Sequence, residues 1–310
     1  MTALCQEYAV DPRSIRTFED FRYLFEKFGF WQGRLIVKCP GDWERRVLDA
    51  CADPTDRIKI QEKLRRAADR RVIGAPMLGA ERPTDWPEFV SAVHRRTRLA
   101  GAVTDDEVAP DREFPPVIRL AEWDEDGLAV RKEERIRRTA DEISQAAVTL
   151  LRHSPRVVLV DPYFDVALLR YRESLKKILE TARRERCEYV DIVAGARDAS
   201  ESDAISEIRR QLPLIYDASK TRPRLRFLFL TTPESYDDFH HRFILSEFGA
   251  IRFDAGLDAA GPNKWTDIVL VDRIRHLELV ERYIKHVDRE AGYACCWPEE
   301  RNGYRFVARK

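Results

Sequence analysis

The 310-residue sequence lacks several features that would assign it to familiar classes of protein. It has no run of about 18 apolar residues, so no segment is expected to cross a bilayer as a helix. Its N-terminus has no basic region followed by an apolar one, which predicts no secretion signal and a cytoplasmic location. Six cysteines are scattered without a CxxC pair, so we expect reduced thiols rather than a zinc ribbon or a disulfide framework.

Net charge is also absent, because 54 Lys and Arg residues balance 54 Asp and Glu residues. Bulk electrostatic attraction to nucleic acid or to an anionic membrane is therefore not expected. A local imbalance remains, since segment 57–98 carries a formal charge of +6 and segment 105–126 carries −7. The two segments can face one another, or the basic one can contact a phosphate backbone, and both interpretations stay open.

A glycine-rich phosphate loop is missing as well. The segment between Gly29 and Gly33 lacks the Lys and the Ser or Thr that such a loop requires, which excludes nucleotide hydrolysis of the P-loop kind. The sequence predicts neither a cofactor nor a metal site. What it does contain, 44% hydrophobic and 35% charged residues, is typical of a globular chain.

The first part of the chain predicts a mainly helical N-terminal domain over residues 1–126, whose role the sequence does not indicate. Thr17 and Asp20 form an N-cap pair ahead of an aromatic segment with helical spacing. Further helices are predicted over 43–51 and 57–71. Segment 101–127 is rich in Asp, Glu and Pro, as linkers often are, so we place the domain boundary near residue 127.

The second part, residues 127–310, predicts an α/β domain. A β-branched run over 156–160 is typical of a strand that is buried on both faces. Helical and strand patterns then alternate, as in a sandwich of helices on a sheet. The predicted helices cover 131–152, 167–186, 203–212 and 276–287. The other predicted strands cover 189–195, 224–231, 242–247, 250–256 and 268–271, with 242–247 and 250–256 forming a hairpin.

The residues with the clearest chemical potential lie where a loop enters the strand at 242–247. Strand alternation places His240 and Arg242 on one face, with His241 and Phe243 on the other. An imidazole can attack phosphorus or transfer a proton, and a guanidinium can neutralise phosphate oxygens in a bidentate manner. The pair therefore suits a phosphoryl group, although a structural role for both side chains is the alternative.

A second group of polar residues follows the strand at 156–160. Ligands of open α/β sheets bind beyond the carboxyl ends of strands, so we predict that this group lines a pocket. It contains Asp161, Tyr163 and Asp165. Asp161 can equally cap the turn that follows the strand. Asp258 and Lys264 are further candidates for binding a substrate.

These motifs resemble those of the phospholipase D superfamily. The segment HHRFILSE, residues 240–247, is similar to the HxK(x)4D signature, with Arg242 in the Lys position and Glu247 in the Asp position. Together, DPYFD at 161–165, HxR and GLD at 256–258 resemble the phospholipase D-like C-terminal domain of MIT-domain proteins and bacterial relatives. The likeness covers residues 155–285 and implies a phospholipase D-like α/β sandwich.

The resemblance implies two alternative functions. In the catalytic members, the motif His is a metal-independent nucleophile, the cation binds phosphate, and a second motif His protonates the leaving oxygen. This chain has one such motif, so a nuclease or phosphodiesterase, for example one in bacterial defence against mobile DNA, would need a homodimer that pairs His240 of two subunits. The catalytic set would then be His240, Arg242 and Glu247. The MIT-type relatives instead imply a non-catalytic module that binds a phosphate-bearing ligand or a partner protein.

Overall fold

The computed structural model describes residues 4–70, 72–74, 85–108, 113–120, 130–185, 187–196, 201–216, 223–230, 241–286 and 291–297. The chain forms two compact units, which are divided between Lys132 and Glu133. This division falls a few residues beyond the boundary that the sequence indicates. Within the described ranges, no helix combines the length and the apolar character that crossing a membrane requires.

The N-terminal unit is built around a parallel sheet. Its described strands are β1 (Gln6–Val10), β2 (Arg34–Val37), β3 (Gly101–Val103) and β4 (Val117–Ile118), in the order β2-β1-β3-β4. Its described helices are α1 (Phe18–Lys27), α2 (Trp43–Ala50), α3 (Pro54–Arg70) and α4 (Trp86–Thr97). The prediction of a mainly helical domain therefore missed the sheet. Parallel strands need long connections, usually helical, so the helices dominate the sequence pattern.

Local contacts explain why this unit folds as it does. Helix α1 begins with a capping box, in which Thr17 Oγ1 accepts from the Asp20 amide at 3.2 Å and Asp20 Oδ2 accepts from the Thr17 amide at 2.9 Å. This confirms the predicted N-cap pair. Between the oppositely charged segments, Arg95 pairs with Glu113 at 2.5 Å, so the two segments face one another at that point.

The C-terminal unit contains a sheet of eight described strands in the order β12-β8-β7-β6-β9-β10-β11-β5. The strands are β5 (Glu133–Arg138), β6 (Arg156–Val160), β7 (Tyr189–Gly195), β8 (Arg224–Leu230), β9 (Arg242–Leu245), β10 (Ala250–Phe253), β11 (Gly261–Leu270) and β12 (Ala291–Trp297). The helices are α5 (Ala140–Ala146), α6 (Val148–His153), α7 (Leu169–Arg184), α8 (Glu201–Gln211) and α9 (Arg273–Val280). The unit is an α/β fold, and β9 and β10 form the predicted hairpin.

One predicted helix of this unit is wrong in its first part. Residues 131–152 were expected to form one amphipathic helix, but residues 133–138 form β5, and α5 and α6 follow. Strand β5 pairs antiparallel with β11, where Ile136 lies opposite Thr266. The charged composition of β5 does not favour a strand, so the pairing with β11 decides its structure. Strand β12 was not predicted.

The strand directions bring several chain segments to one edge of the sheet. Strands β6, β7 and β8 are parallel, whereas β9 runs antiparallel to β6. The carboxyl ends of β6, β7 and β8 therefore lie beside the start of β9. One face of the sheet carries a buried core that includes Val160, Leu228 and Phe243. Strand alternation directs Arg242, Phe227 and Phe229 to the opposite face.

Candidate functional site

The candidate site lies where β6 ends and β9 begins. The register pairs Val160 of β6 with Phe243 of β9. Asp161 and Arg242 are each one residue farther toward the same sheet edge, so they lie side by side. The sequence predicted both residues separately, and the antiparallel pairing of β6 with β9 brings them together.

Asp161 is fully buried and fixes the surrounding loops. Its Oδ1 accepts from the amide of Tyr163 at 2.9 Å, and its Oδ2 accepts from the amide of Leu257 at 2.8 Å. The carboxyl group thus caps the turn after β6, as one of the two interpretations proposed, and also holds the loop after β10. Burial raises the pKa of Asp161, while the two amide bonds and the charge of Arg242 act in the opposite direction.

Asp258 is the second buried carboxylate of the site. It forms ion pairs with Arg138, the last residue of β5, and with Arg170 of α7, whose Nε lies 3.2 Å from Asp258 Oδ2. Asp258 Oδ1 lies close to the backbone of Gly256, and a Cβ atom at position 256 would overlap it. A glycine at this position therefore leaves room for the Asp258 carboxylate. Two arginines therefore pair with Asp258, and a larger residue at position 256 would have to displace the Asp258 side chain.

Arg242 is held differently from these two arginines. Its guanidinium carbon lies 5.0 Å from the centroid of the Tyr163 ring, and Nη1 donates a long bond of 3.4 Å to the carbonyl of Asp254. Its Nε is buried and has no hydrogen-bond partner among the described residues. Within that part of the chain, Arg242 pairs with no carboxylate. Its guanidinium fork therefore keeps donors that an anionic group can use.

Tyr171 of α7 completes the buried wall of the site. Burial raises the pKa of Tyr171, and the negative charges of Asp161 and Asp258 raise it further. Its hydroxyl therefore remains protonated at neutral pH. The ring of Phe164 lies 5.0 Å from the ring of Tyr171 and 6.3 Å from that of Phe227, so Phe164 connects the site to the middle of the sheet.

The other predicted residues are distributed around the unit. His240, the predicted nucleophile, lies outside the described residues. The ring of His241 lies 6.1 Å from the ring of Phe243, on the face opposite Arg242, as strand alternation predicts. Glu247 lies in the turn between β9 and β10, at the other end of β9 from Arg242. The structure therefore does not bring Glu247 to the candidate site.

Two further candidates do not contact Arg242 or the buried carboxylates in the described structure. Lys264 is exposed on β11, within an irregularity of its pairing with β5. Asp165 accepts from the amide of Ala167 at 2.9 Å and lines a neighbouring cavity. In the part of the chain that is described, no three His, Cys, Asp or Glu side chains lie close enough together to hold a metal ion.

Sequence reasoning missed four residues of the site, namely Arg138, Arg170, Tyr171 and Gly256. Arg138 lies in a segment that was expected to be helical. Arg170 lies near the start of a predicted helix, where nothing in the local sequence distinguishes it from the other arginines. Neither position carries a local signal, because both depend on Asp258, which is distant in sequence. Gly256 lies within the GLD motif, and that motif was the available signal.

Comparisons with known proteins give little further information. No known protein family matches the sequence, and no curated protein matches it. Among solved structures, the chain is similar to TrmBL2, an archaeal chromatin protein described as showing a novel mode of DNA binding, with a TM-score of 0.31 and 10% sequence identity. The match covers 53% of this chain and 55% of TrmBL2, so it spans about half the length of that protein. A likeness at this level does not bear on function.

The charges of the site favour an anion. Three arginines, Arg138, Arg170 and Arg242, accompany two buried carboxylates, Asp161 and Asp258. Three positive charges face two carboxylates, so one positive charge is in excess even when both carboxylates are ionised. Asp258 pairs with two of the arginines, whereas Arg242 pairs with no carboxylate among the described residues and lies beside an exposed tyrosine ring at the sheet edge.

Proposed function

We propose that the C-terminal unit binds a phosphate-bearing ligand at Arg242. The observation that supports the proposal is that Arg242 lies against the ring of Tyr163 and pairs with no carboxylate among the described residues, while Nη1 makes only a long bond of 3.4 Å to a carbonyl. The outer guanidinium nitrogens therefore keep donors that a phosphate oxygen can accept. Stacking on Tyr163 holds the guanidinium plane in place, so little side-chain entropy would be lost on binding.

Arg170 provides a second contact for the same ligand. Its side chain is 55% exposed although it also pairs with Asp258, so it can reach solvent at the rim of the site. Arg138 is only 19% exposed, and its role in this proposal is to form an ion pair with Asp258 rather than to contact the ligand. This division of roles resembles a binding pocket with one anchoring arginine, one rim arginine and one structural arginine.

Substitution of Arg242 tests the proposal. Titration calorimetry with inorganic phosphate and with a short single-stranded oligonucleotide would compare wild type, Arg242→Gln and Arg252→Gln. Arg252 is a matched control, because it lies on the neighbouring strand but pairs in register with Phe243 on the opposite face. Loss of one charge-assisted hydrogen bond of about 1.5–3 kcal/mol would weaken binding about 10- to 100-fold in Arg242→Gln alone. Equal effects of both substitutions would contradict the proposal.

Hydrolysis of a phosphodiester is the second candidate function. It is favoured by the position of Arg242 at the start of β9, two residues after His240 in the sequence. In this scheme the unit is a phospholipase D-like sandwich, His240 attacks phosphorus without a metal, Arg242 binds the phosphate, and a homodimer supplies the acid from a second His240. Nucleic acid is the proposed substrate. Glu247 and His153 cannot supply this acid, since both lie toward the other end of the sheet, where the ring of His153 is 6.4 Å from that of Phe248.

Two measurements separate hydrolysis from binding alone. Nuclease assays in the presence of EDTA should show activity in wild type, none in His240→Ala, and most of it in His241→Ala, because His241 lies on the other face. Light scattering at micromolar concentration should show a dimer. A monomer that stays monomeric with ligand, or an equal loss of activity in both variants, would contradict the hydrolysis proposal. Binding would then be the remaining candidate function.

A further inference from the structure

A cavity lies next to the candidate site and is not used by the proposed function. It has a volume of about 310 Å³, at the lower end of the range for small-ligand pockets. Its apolar walls include Phe164, Gly195, Ile208, Phe227 and Phe229. It lies at the carboxyl ends of β6, β7 and β8, the edge at which ligands of open α/β sheets bind.

The charged residues in the described part of the cavity wall all carry the same charge. Asp165, Asp203 and Glu207 are the charged residues among the described lining, which contains no Lys or Arg. Glu207 accepts from Gln211 at 2.8 Å and from Arg210 at 2.5 Å, and these contacts lower its pKa, so it stays ionised. Carboxylates accept hydrogen bonds and donate none. The cavity is therefore complementary to a flat apolar group with N–H donors on its edge.

The cavity and Arg242 lie on the same face and at the same edge of the sheet. Phe227 and Phe229 alternate with Leu228, which shares a core with Phe243, so both phenylalanines lie on the sheet face that carries Arg242. The cavity walls include residues of β7 and β8, which are two and three strands from β9, separations of about 10 and 14 Å. Phe164 forms part of the cavity wall and also contacts Tyr171 of the site.

We propose that this cavity binds a nucleobase that carries an exocyclic amino group, and that the phosphate of the same nucleotide binds at Arg242. The inference rests on the proposed phosphate-binding function. Apolar and aromatic walls suit a base ring, as in pockets that accept flipped bases. An amino group on the base edge donates to a carboxylate, whereas a carbonyl at the same position would be repelled.

Two matched pairs of nucleotides test the choice of base. Cytidine and uridine monophosphates differ at C4, an amino group against a carbonyl, and at the adjacent N3, which accepts in cytosine and donates in uracil. Adenosine and inosine monophosphates differ in the same way at C6 and N1, so each pair tests whether the donor must be the exocyclic amino group. Calorimetry with wild type should show that the two amino-bearing nucleotides bind about 10-fold or more tightly than their partners, and more tightly than inorganic phosphate. Asp203→Asn should reduce this preference. Glu173→Gln should leave it unchanged, because Glu173 is an exposed residue of α7 that does not line the cavity.

Filling the cavity provides a second test. Ala204→Phe places a ring in the cavity and should reduce the affinity for cytidine monophosphate to that for inorganic phosphate, without changing phosphate binding itself. Ser206→Phe is the matched control, because Ser206 lies on the same helix but is exposed. This control should behave like wild type.

The outcomes distinguish this inference from the function on which it rests. If wild type binds inorganic phosphate through Arg242 but binds all nucleotides no more tightly, the base cavity is refuted and the phosphate site stands. If wild type binds no phosphate, the proposed function fails. Binding of an aliphatic diamine such as putrescine that Ala204→Phe abolishes, without preference for cytidine over uridine monophosphate, would assign the cavity to amines and also overturn the inference.

Discussion

Replacement of Asp161 by Ala is expected to destabilise the two loops that form the candidate site. The carboxylate connects the turn after β6 with the loop after β10 by accepting the amides of Tyr163 and Leu257. Alanine accepts neither amide. Both amides would then lose this acceptor, at a place where Asp161 is fully buried, Leu257 is 1% exposed and Tyr163 is 46% exposed.

The magnitude follows from these two bonds. The buried amide of Leu257 without an acceptor costs about 1–3 kcal/mol, the part-buried amide of Tyr163 costs less, and removing the buried charge returns part of the total. We therefore expect Asp161→Ala to lower the free energy of unfolding of the C-terminal unit by about 2–4 kcal/mol. Asp165→Ala is the control, because Asp165 lies in the same loop and accepts the more exposed amide of Ala167. Its expected cost is about 1 kcal/mol or less.

Hydrogen exchange measured by mass spectrometry locates the effect. Peptides covering residues 254–260 should exchange faster in Asp161→Ala, while peptides of the N-terminal unit, which folds around its own sheet, serve as an internal reference. Urea unfolding gives the free energy. Similar costs for the two variants, or unchanged exchange over 254–260, would refute the idea that Asp161 holds the two loops together.

Three further outcomes are expected. Gly256→Ala should cost about 1–3 kcal/mol in thermal or urea unfolding, because the new Cβ displaces Asp258, and a neutral effect would contradict the close approach. Thr17→Ala should cost about 1 kcal/mol in urea unfolding of the N-terminal unit, through loss of the capping bond to Asp20; no change would mean that the cap is dispensable. The raised pKa of Asp161 favours folding below the usual carboxyl pKa and loses that contribution as pH rises through the folded value. The unfolding free energy of wild type relative to that of Asp161→Asn should therefore fall as pH rises above the usual carboxyl pKa, and a rise would contradict the assigned direction.

The sequence predicted the C-terminal fold better than the N-terminal one. The predicted strands at 156–160, 189–195 and 224–231 match β6, β7 and β8 closely, because each is a run of mostly apolar residues long enough to show a pattern. The four described strands of the N-terminal sheet have two to five residues, too few for a periodicity to be distinguished from the start of a helix.

The site was predictable only in part for a related reason. Asp161, Tyr163 and Asp258 follow strands or belong to a short motif, so their positions were visible in the sequence. Arg138 and Arg170 reach the site through long-range packing, which no local pattern records. Glu247 matched a motif position, yet the length of β9 carries it away from Arg242.

Strand β5 has a consequence for how the chain is synthesised. It is the first strand of its unit, yet its partner β11 begins at Gly261, and the bond from Leu257 to Asp161 spans 96 positions. During synthesis, more than a hundred further residues must therefore be added before β5 can pair, and the candidate site forms only after β11 has been made. The charged residues of β5 protect the unpaired strand from association with other nascent chains during that interval.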